Sequence, residues 1–313
     1  MDSIRCTTWY VIAALTGSCI TEDATSTDDL GAMEGAINVE TSTLWSTRSI
    51  QVCWENPTSG NERDRRAIKE AVEYWWNYRA GFELHGWNRC GGNEDVRVIV
   101  TDDEHDDTYA PHVKAIGKNL RDLPNGVVFP HTYKNHWRTE CRVLRRWECQ
   151  QEYAVHEFGH VLGFHHEQGR ADTPEWCTEA DARQSPFETY GSPWDPESVM
   201  GYCSSPRLGG GQLSGFDIFY SMWAYGNDQG KAYFFEHWSD GKTGKKTGWY
   251  QGSGCQDVFG HHNDIYSAVM LGRGVAGVRV FQDAGCSGPS QVLTQSTFLG
   301  DWNDRISSLQ VLY

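Results

Sequence analysis

The stretch HEFGHVLGFHHEQGR, residues 156–170, holds four histidines and two glutamates inside an otherwise apolar run. Its reading decides what surrounds it. His156 and His160 stand four apart, so on a helix they share one face, one turn from each other. Two imidazoles so placed can grip one metal ion, and Glu157 between them can reach a water on that ion. Gly163 comes three after His160. A glycine there lets the chain leave the helix in a left-handed conformation and turn back to present His166. The whole reads HExxHxxGxxH, with three imidazoles for a tetrahedral ion and a fourth position open to water. Three neutral nitrogens and an open position suit catalytic zinc. Such an ion lowers the pKa of its water from about 16 to around 7. Glu157 would take the proton and later hand it to a leaving amine, so the expected chemistry is hydrolysis of a peptide bond. His165 falls out of ligand spacing and reads as a surface or packing histidine.

Outward from this motif, the pattern predicts a helix from about Gln151 to Leu162. On its N-terminal side, RSIQVCW (48–54) alternates like a strand. Residues 61–79 predict a helix whose apolar face is Ile68, Ala71, Val72, Trp75 and Tyr78, with Gly81 to stop it. Strands are expected at 96–103 and 126–133. On the C-terminal side, LSGFDIFYSMWAYG (213–226) predicts a last helix with Ser214 as N-cap and Gly226 as stop. Beyond it glycine recurs every few positions among short alternating runs such as GVRVF and SSLQVL. Residues 231–313 therefore read as a small all-β module, with the boundary at 227–231.

The chain has 313 residues and a formal net charge of −15, which repels phosphate backbones and argues against a nucleic-acid partner. No stretch is long and apolar enough to span a membrane. Ten cysteines without a CxxC pair suit disulfides in an oxidising compartment. Nearness in chain order gives Cys53–Cys90, Cys141–Cys149, Cys177–Cys203 and Cys255–Cys286. At the N-terminus MDSIRC, an apolar TTWYVIAAL and the small-residue TGSC resemble an export signal over 1–19. TGSC also resembles a lipoprotein cleavage box with Cys19 as the lipidated residue, which would hold the protein at a cell surface or outer membrane instead of releasing it. Residues 20–43, acidic and rich in Ser and Thr, read as a linker or short pro-segment. The expected organisation continues with a catalytic domain over 44–228 and a β domain over 229–313, as a monomer acting on proteins or peptides.

HExxHxxGxxH followed by a methionine turn resembles the metzincin zinc metallopeptidases. The turn is SVMGY (198–202), with Met200 34 residues after His166. The resemblance implies an α+β catalytic domain: a twisted mixed sheet, an active-site helix and a C-terminal helix. It implies Met200 as an apolar floor beneath the metal. Glu167, directly after the third histidine, and Tyr202, two after the methionine, are similar to the astacin branch. There Tyr202 would be a labile extra zinc ligand able to hydrogen-bond the tetrahedral intermediate, and Glu167 would help receive a new N-terminus after pro-segment removal. The C-terminal module resembles a βγ-crystallin domain of two Greek keys, on WNDRISSLQV (302–311), NDIYSA (263–268) and FQDAGCSG (281–288). That likeness implies calcium sites at Asn263 and Asp264 with Ser267, and at Asn303 and Asp304 with Ser307 and Ser308. Ala268 stands where a final serine would be, which predicts one weaker site. The alternative reading is a calcium-binding structural or inhibitor protein whose protease-like part is inactive.

Overall fold

The computed structural model describes residues 38–101, 111–130, 146–170, 172–177, 188–189, 194–203, 207–236, 247–258, 260 and 263–313. The export signal, Cys19 and residues 20–37 of the expected linker lie outside these. The chain is mixed α+β with several sheets. The first strand, β1 (Asn38–Val39), bridges to Phe164 inside the metal motif. Val39, Thr43 and Trp45 are buried, and the Trp45 indole donates to the carbonyl of Val161 at 2.7 Å. Residues 38–43, the end of the expected linker or pro-segment, are therefore packed against the metal motif. Val39 is the one apolar anchor in 38–43, which is otherwise polar in composition.

One sheet frames this part. It is built from β2 (Ser49–Trp54), β3 (Glu83–Arg89), β4 (Val96–Thr101), β5 (His112–Val113) and β6 (Val127–Pro130), in the order β3-β2-β4-β6-β5. Four strands run parallel and β5 closes one edge antiparallel. Val96, Val98, Val127 and Phe129 are wholly buried, as inner parallel strands require. The sequence gives β3 no signal because a bulge breaks its alternation. Gly86 and Trp87 both have positive φ, and the register slips between Val52 and Cys53. The Cys53–Cys90 disulfide ties the ends of β2 and β3. A two-residue strand, β7 (Glu188–Thr189), pairs with β1.

Among the described residues three α-helices complete it: α1 (Glu62–Val72), α2 (Arg146–Val161) and α3 (Gly215–Ala224). Helix α1 continues into a π-helical turn, Glu73–Arg79. A residue in an i→i+5 turn advances less around the axis than in an α-turn, so the apolar stripe shifts. Trp76 is buried and its indole donates to Val155 of α2 at 2.9 Å, whereas Tyr78, read as core, is 76% exposed. Helix α2 starts five residues before the point the pattern suggested, packs along α1 and reaches the edge strand β5.

The remaining strands, β8 (Lys231–Glu236), β9 (Thr247–Gln251), β10 (Gln256–Asp257), β11 (Tyr266–Leu271), β12 (Gly277–Asp283), β13 (Ser287–Leu293), β14 (Thr297–Phe298) and β15 (Ser308–Leu312), form two antiparallel sheets. Their orders are β14-β11-β8-β9 and β10-β15-β12-β13. Each half of the module thus lends one short strand to the other's sheet. The Cys255–Cys286 disulfide bonds the two halves. The module is not a loosely tethered appendage. Tyr233, Phe235, Ala268 and Met270 of β8 and β11 belong to the same buried core as Phe216, Phe219 and Met222 of α3. Phe219 meets Tyr233 edge-on at 4.9 Å, and the Tyr233 hydroxyl reaches the Met222 sulfur at 2.9 Å. In the connection itself Asp228 is wholly buried and pairs with Arg273, whose guanidinium lies over Trp223.

Candidate metal centre

Helix α2 presents His156, Glu157 and His160 from its last two turns, all buried. It ends at Gly163, whose φ is +94°; a side chain there would meet Leu44 at 2.9 Å. The chain reverses through Phe164, held by β1, and delivers His166. One ligand nitrogen from each of His156, His160 and His166 lies within 4.8 Å of the others. The Asn38 amide donates to the His166 carbonyl at 3.1 Å, so the buried N-terminal strand helps hold the third ligand.

The orientation of the rings points to a metal ion. The His156 Nδ1 lies 2.8 Å from the Val199 carbonyl, and the His160 Nδ1 lies 2.7 Å from the Phe164 carbonyl. A carbonyl only accepts, so each Nδ1 carries the proton and each Nε2 presents a lone pair. The His160 Nε2 then faces the His166 Nε2 at 3.1 Å. Two nitrogens on one tetrahedral zinc stand about 3.3 Å apart, given bonds of 2.0–2.1 Å. Burial keeps the three rings neutral, the ligating form. It pushes His156 down to about 3, with His166 adding to the effect and the Val199 carbonyl opposing it. It takes His166 to about 4 and His160 well below the usual range. The donor set fits zinc, and the residues fit the role of holding it.

Burial also pushes the Glu157 carboxyl up to about 8. A dication nearby favours the ionised form. Tyr202 stacks against His156, ring centroids 5.3 Å apart, and its hydroxyl lies 3.5 Å from the His156 Nε2. Met200 is buried beneath, packed so closely against Gly159 that a methyl group there would overlap its sulfur. Gly159, the fourth letter of HEFGH, is thus a requirement that the spacing alone did not reveal.

A further layer fixes these groups; of its members the sequence singled out Ser214 and Glu167 but not Asp217, Asp195 or Arg170. The Asp217 carboxylate, in the first turn of α3, accepts from the Val199 amide at 2.9 Å, from the Ser198 hydroxyl at 2.7 Å and from the Ser214 amide at 2.9 Å. Ser214 caps α3 by accepting from the Asp217 amide, completing a capping box. Asp217 thus holds the peptide whose carbonyl orients His156. Burial raises both Asp217 and its neighbour Asp195. Glu167 is buried against Arg170 at 3.3 Å and accepts from the Asp195 amide at 2.9 Å. Burial pushes its carboxyl well above the usual range against the pull of Arg170. Arg170 continues to Asp172. The Cys177–Cys203 disulfide fastens the next loop beside Tyr202. Cys149 is itself disulfide-bonded, and its expected partner Cys141 lies outside the described residues.

The module's expected calcium residues divide differently. Asp264 and Asp304 both have φ of 55°, and each loop bonds to the other: the Asp264 amide donates to Ile306 and the Asp304 amide to Tyr266. The Ser307 hydroxyl lies 3.4 Å from an Asp264 carboxylate oxygen, so a serine of one loop serves the aspartate of the other. Asn263 and Asn303 donate to their own neighbouring aspartates. Ser308 is not brought to either loop. Strand alternation turns it inward, where its hydroxyl donates to Asp283 and accepts from the Cys286 amide. Ala268 likewise faces the core against α3. The alanine is therefore no vacant ligand position, and the reason given for unequal sites falls away.

No protein-family model and no curated protein matches this chain. Among solved structures, myroilysin is similar over 60% of this chain and 97% of its own, at 20% identity and a TM-score of 0.41. A βγ-crystallin domain from Flavobacterium johnsoniae is similar over 27% of this chain and 94% of its own, at 22% identity and a TM-score of 0.22. The βγ-crystallin domain of Abundant Perithecial Protein from Neurospora crassa, solved in its Ca2+-bound form, is similar over 26% and 87%, at 22% identity and a TM-score of 0.22. These values assign no activity to this chain.

Proposed function

We propose that the chain is a zinc-dependent endopeptidase of the metzincin type, astacin-like at Glu167 and Tyr202. The supporting observation is the convergence of three neutral imidazoles, two of them with Nδ1 committed to backbone carbonyls so that Nε2 faces inward. Bound zinc would supply a Lewis acid that polarises a carbonyl and acidifies water. Glu157, buried in the same helical turn as two ligands, accepts the proton of the attacking water and returns it to the leaving amine. Tyr202 stands where a phenol can donate to the oxygen that gains charge. Met200 and Gly159 give the site an apolar floor. The inactive-protein alternative is disfavoured because the ligands, Glu157 and Tyr202 are all retained. Purified protein should cleave a denatured protein mixture, lose that activity to a chelator and regain it with zinc, as mass spectrometry of the products would record. Cleavage indifferent to the chelator would defeat the reading. The disulfides and the signal-like N-terminus support an extracellular destination, either secreted or held at the surface through Cys19.

The Tyr202→Phe variant removes one donor and leaves the ligands. It is expected to keep zinc and lower kcat by ~10²-fold or less, with KM little changed. Turnover equal to the parent would leave Tyr202 with a packing role.

For the module we propose two calcium sites that share ligands across the loops, one using Asp264 with Ser307 and the other centred on Asp304. Ligands that bind only the folded chain stabilise it by mass action, so millimolar calcium is expected to raise the unfolding temperature of the whole protein. The Ala268→Ser variant should leave calcium affinity unchanged, because residue 268 faces the core. Scanning calorimetry with and without calcium checks both statements. An unmoved transition would argue that the loops are purely structural.

A further inference from the structure

Tryptophan carries a large apolar surface that folding normally covers, yet Trp176 is 71% exposed. It meets Trp194 edge-on, ring centroids 5.4 Å apart at 86°. The backbone that carries both rings is fastened. Cys177, the next residue after Trp176, is bonded to Cys203, the next residue after Tyr202, with a Cα–Cα distance of 5.7 Å. Thr173, earlier in the same loop, donates to the Glu167 carbonyl at 3.1 Å. The Trp194 amide donates to Asp172 at 2.8 Å, and the Asp195 amide to Glu167. The pair is thus fastened to both sides of the metal centre, through Tyr202 and through the residue after His166. Adding one 3.8 Å Cα step on each side of the disulfide puts the Trp176 Cα within about 13 Å of the Tyr202 Cα.

We infer that Trp176 and Trp194 form a docking ledge for the polypeptide substrate, taking an aromatic or branched aliphatic side chain two to four residues from the scissile bond. The inference rests on the endopeptidase reading. An extended chain advances about 3.3–3.6 Å per residue, which sets that spacing from the reach of about 13 Å. A T-shaped indole pair offers a face and an edge at once, which suits an apolar side chain. The fastened main chain means little backbone ordering is needed on binding.

The test uses the full-length, zinc-loaded protein and two series of eight-residue peptides. One series carries Phe or Leu at the second to fourth positions from the cleaved bond, and the other carries Ala there. The parent is expected to cleave the first series with KM about tenfold lower and similar kcat. The Trp176→Ala and Trp194→Ala variants should each raise KM several-fold on the apolar series and hardly at all on the Ala series, while Trp176→Phe restores most of the difference. Equal effects on both series overturn the ledge. So does a fall in kcat at constant KM, which would make the pair a support for Tyr202. So does a change in sedimentation mass at unchanged KM, which would make it a contact between copies. If the parent cleaves no peptide, the endopeptidase reading fails by itself. Calorimetric binding of the same peptides to the zinc-loaded chain then decides the ledge: a preference for the apolar series, lost in Trp176→Ala, supports it, and equal binding overturns it.

Discussion

Glu157→Gln is expected to retain a full equivalent of zinc while peptide hydrolysis falls by roughly 10²–10⁴-fold or more. The substitution is nearly isosteric and leaves His156, His160 and His166 with the backbone carbonyls that orient them. What it removes is the one group in the ligand-bearing turn able to take up a proton. A neutral amide does not do so at any ordinary pH. Because the side chain is buried, bulk water is poorly placed to substitute for it. The measurement pairs metal content by elemental analysis with single-peptide turnover. Zinc retained with near-parental turnover would remove Glu157 from the mechanism. Zinc lost with activity would show instead that the residue maintains the site.

The second large effect is expected one layer out. Asp217→Ala should weaken zinc affinity by about 10–100-fold, the usual cost of losing a group that orients a ligand. Asp217→Asn should stay close to the parent. The contrast follows from the bonds. One carboxylate oxygen accepts from the Val199 and Ser214 amides, and an Asn oxygen in that position can accept both. The other faces the Ser198 hydroxyl, which can turn to accept from an Asn amide. Burial already disfavours a full charge at Asp217, so the neutral side chain forfeits little. Alanine leaves the Val199 amide unsatisfied, and the freed peptide no longer fixes His156. Competition against a chromogenic chelator gives the affinities. Equal loss in both variants would mean that the charge matters, and parental affinity in the alanine variant would mean that the Val199 peptide is held by other contacts.

The histidine cluster was legible because its geometry is local. A four-residue step on a helix and a glycine turn bring His156, His160 and His166 together, and distant chain at Asn38 and Val199 only steadies them. The cap at Ser214 was legible for the same reason. What could not be read depends on long-range contacts. Asp217 reaches Val199 across 18 residues, and nothing in the sequence around either announces the other. Gly159 matters only because Met200 arrives beneath it. Trp76 replaces Tyr78 in the core because a π turn reset the helical phase, an effect of packing that a fixed period cannot anticipate. The strand at Glu83–Arg89 was hidden by its own bulge. Ser308 was assigned to a loop by pattern, whereas strand alternation points it to a hairpin.

The buried seam between α3 and the β module makes autonomy unavailable to either side. A fragment beginning at 231 would carry Tyr233, Phe235 and Met270 into water as one apolar face, the kind of surface that drives aggregation or pairing of copies. The complementary fragment would bare Phe216, Phe219 and Met222 on the helix whose first turn holds the Val199 peptide. Heat or denaturant should therefore meet a single cooperative transition across the whole packed chain. A ligand gripped in the loops at 263–267 and 303–307 would then resist loss of zinc simply by making that shared transition rarer.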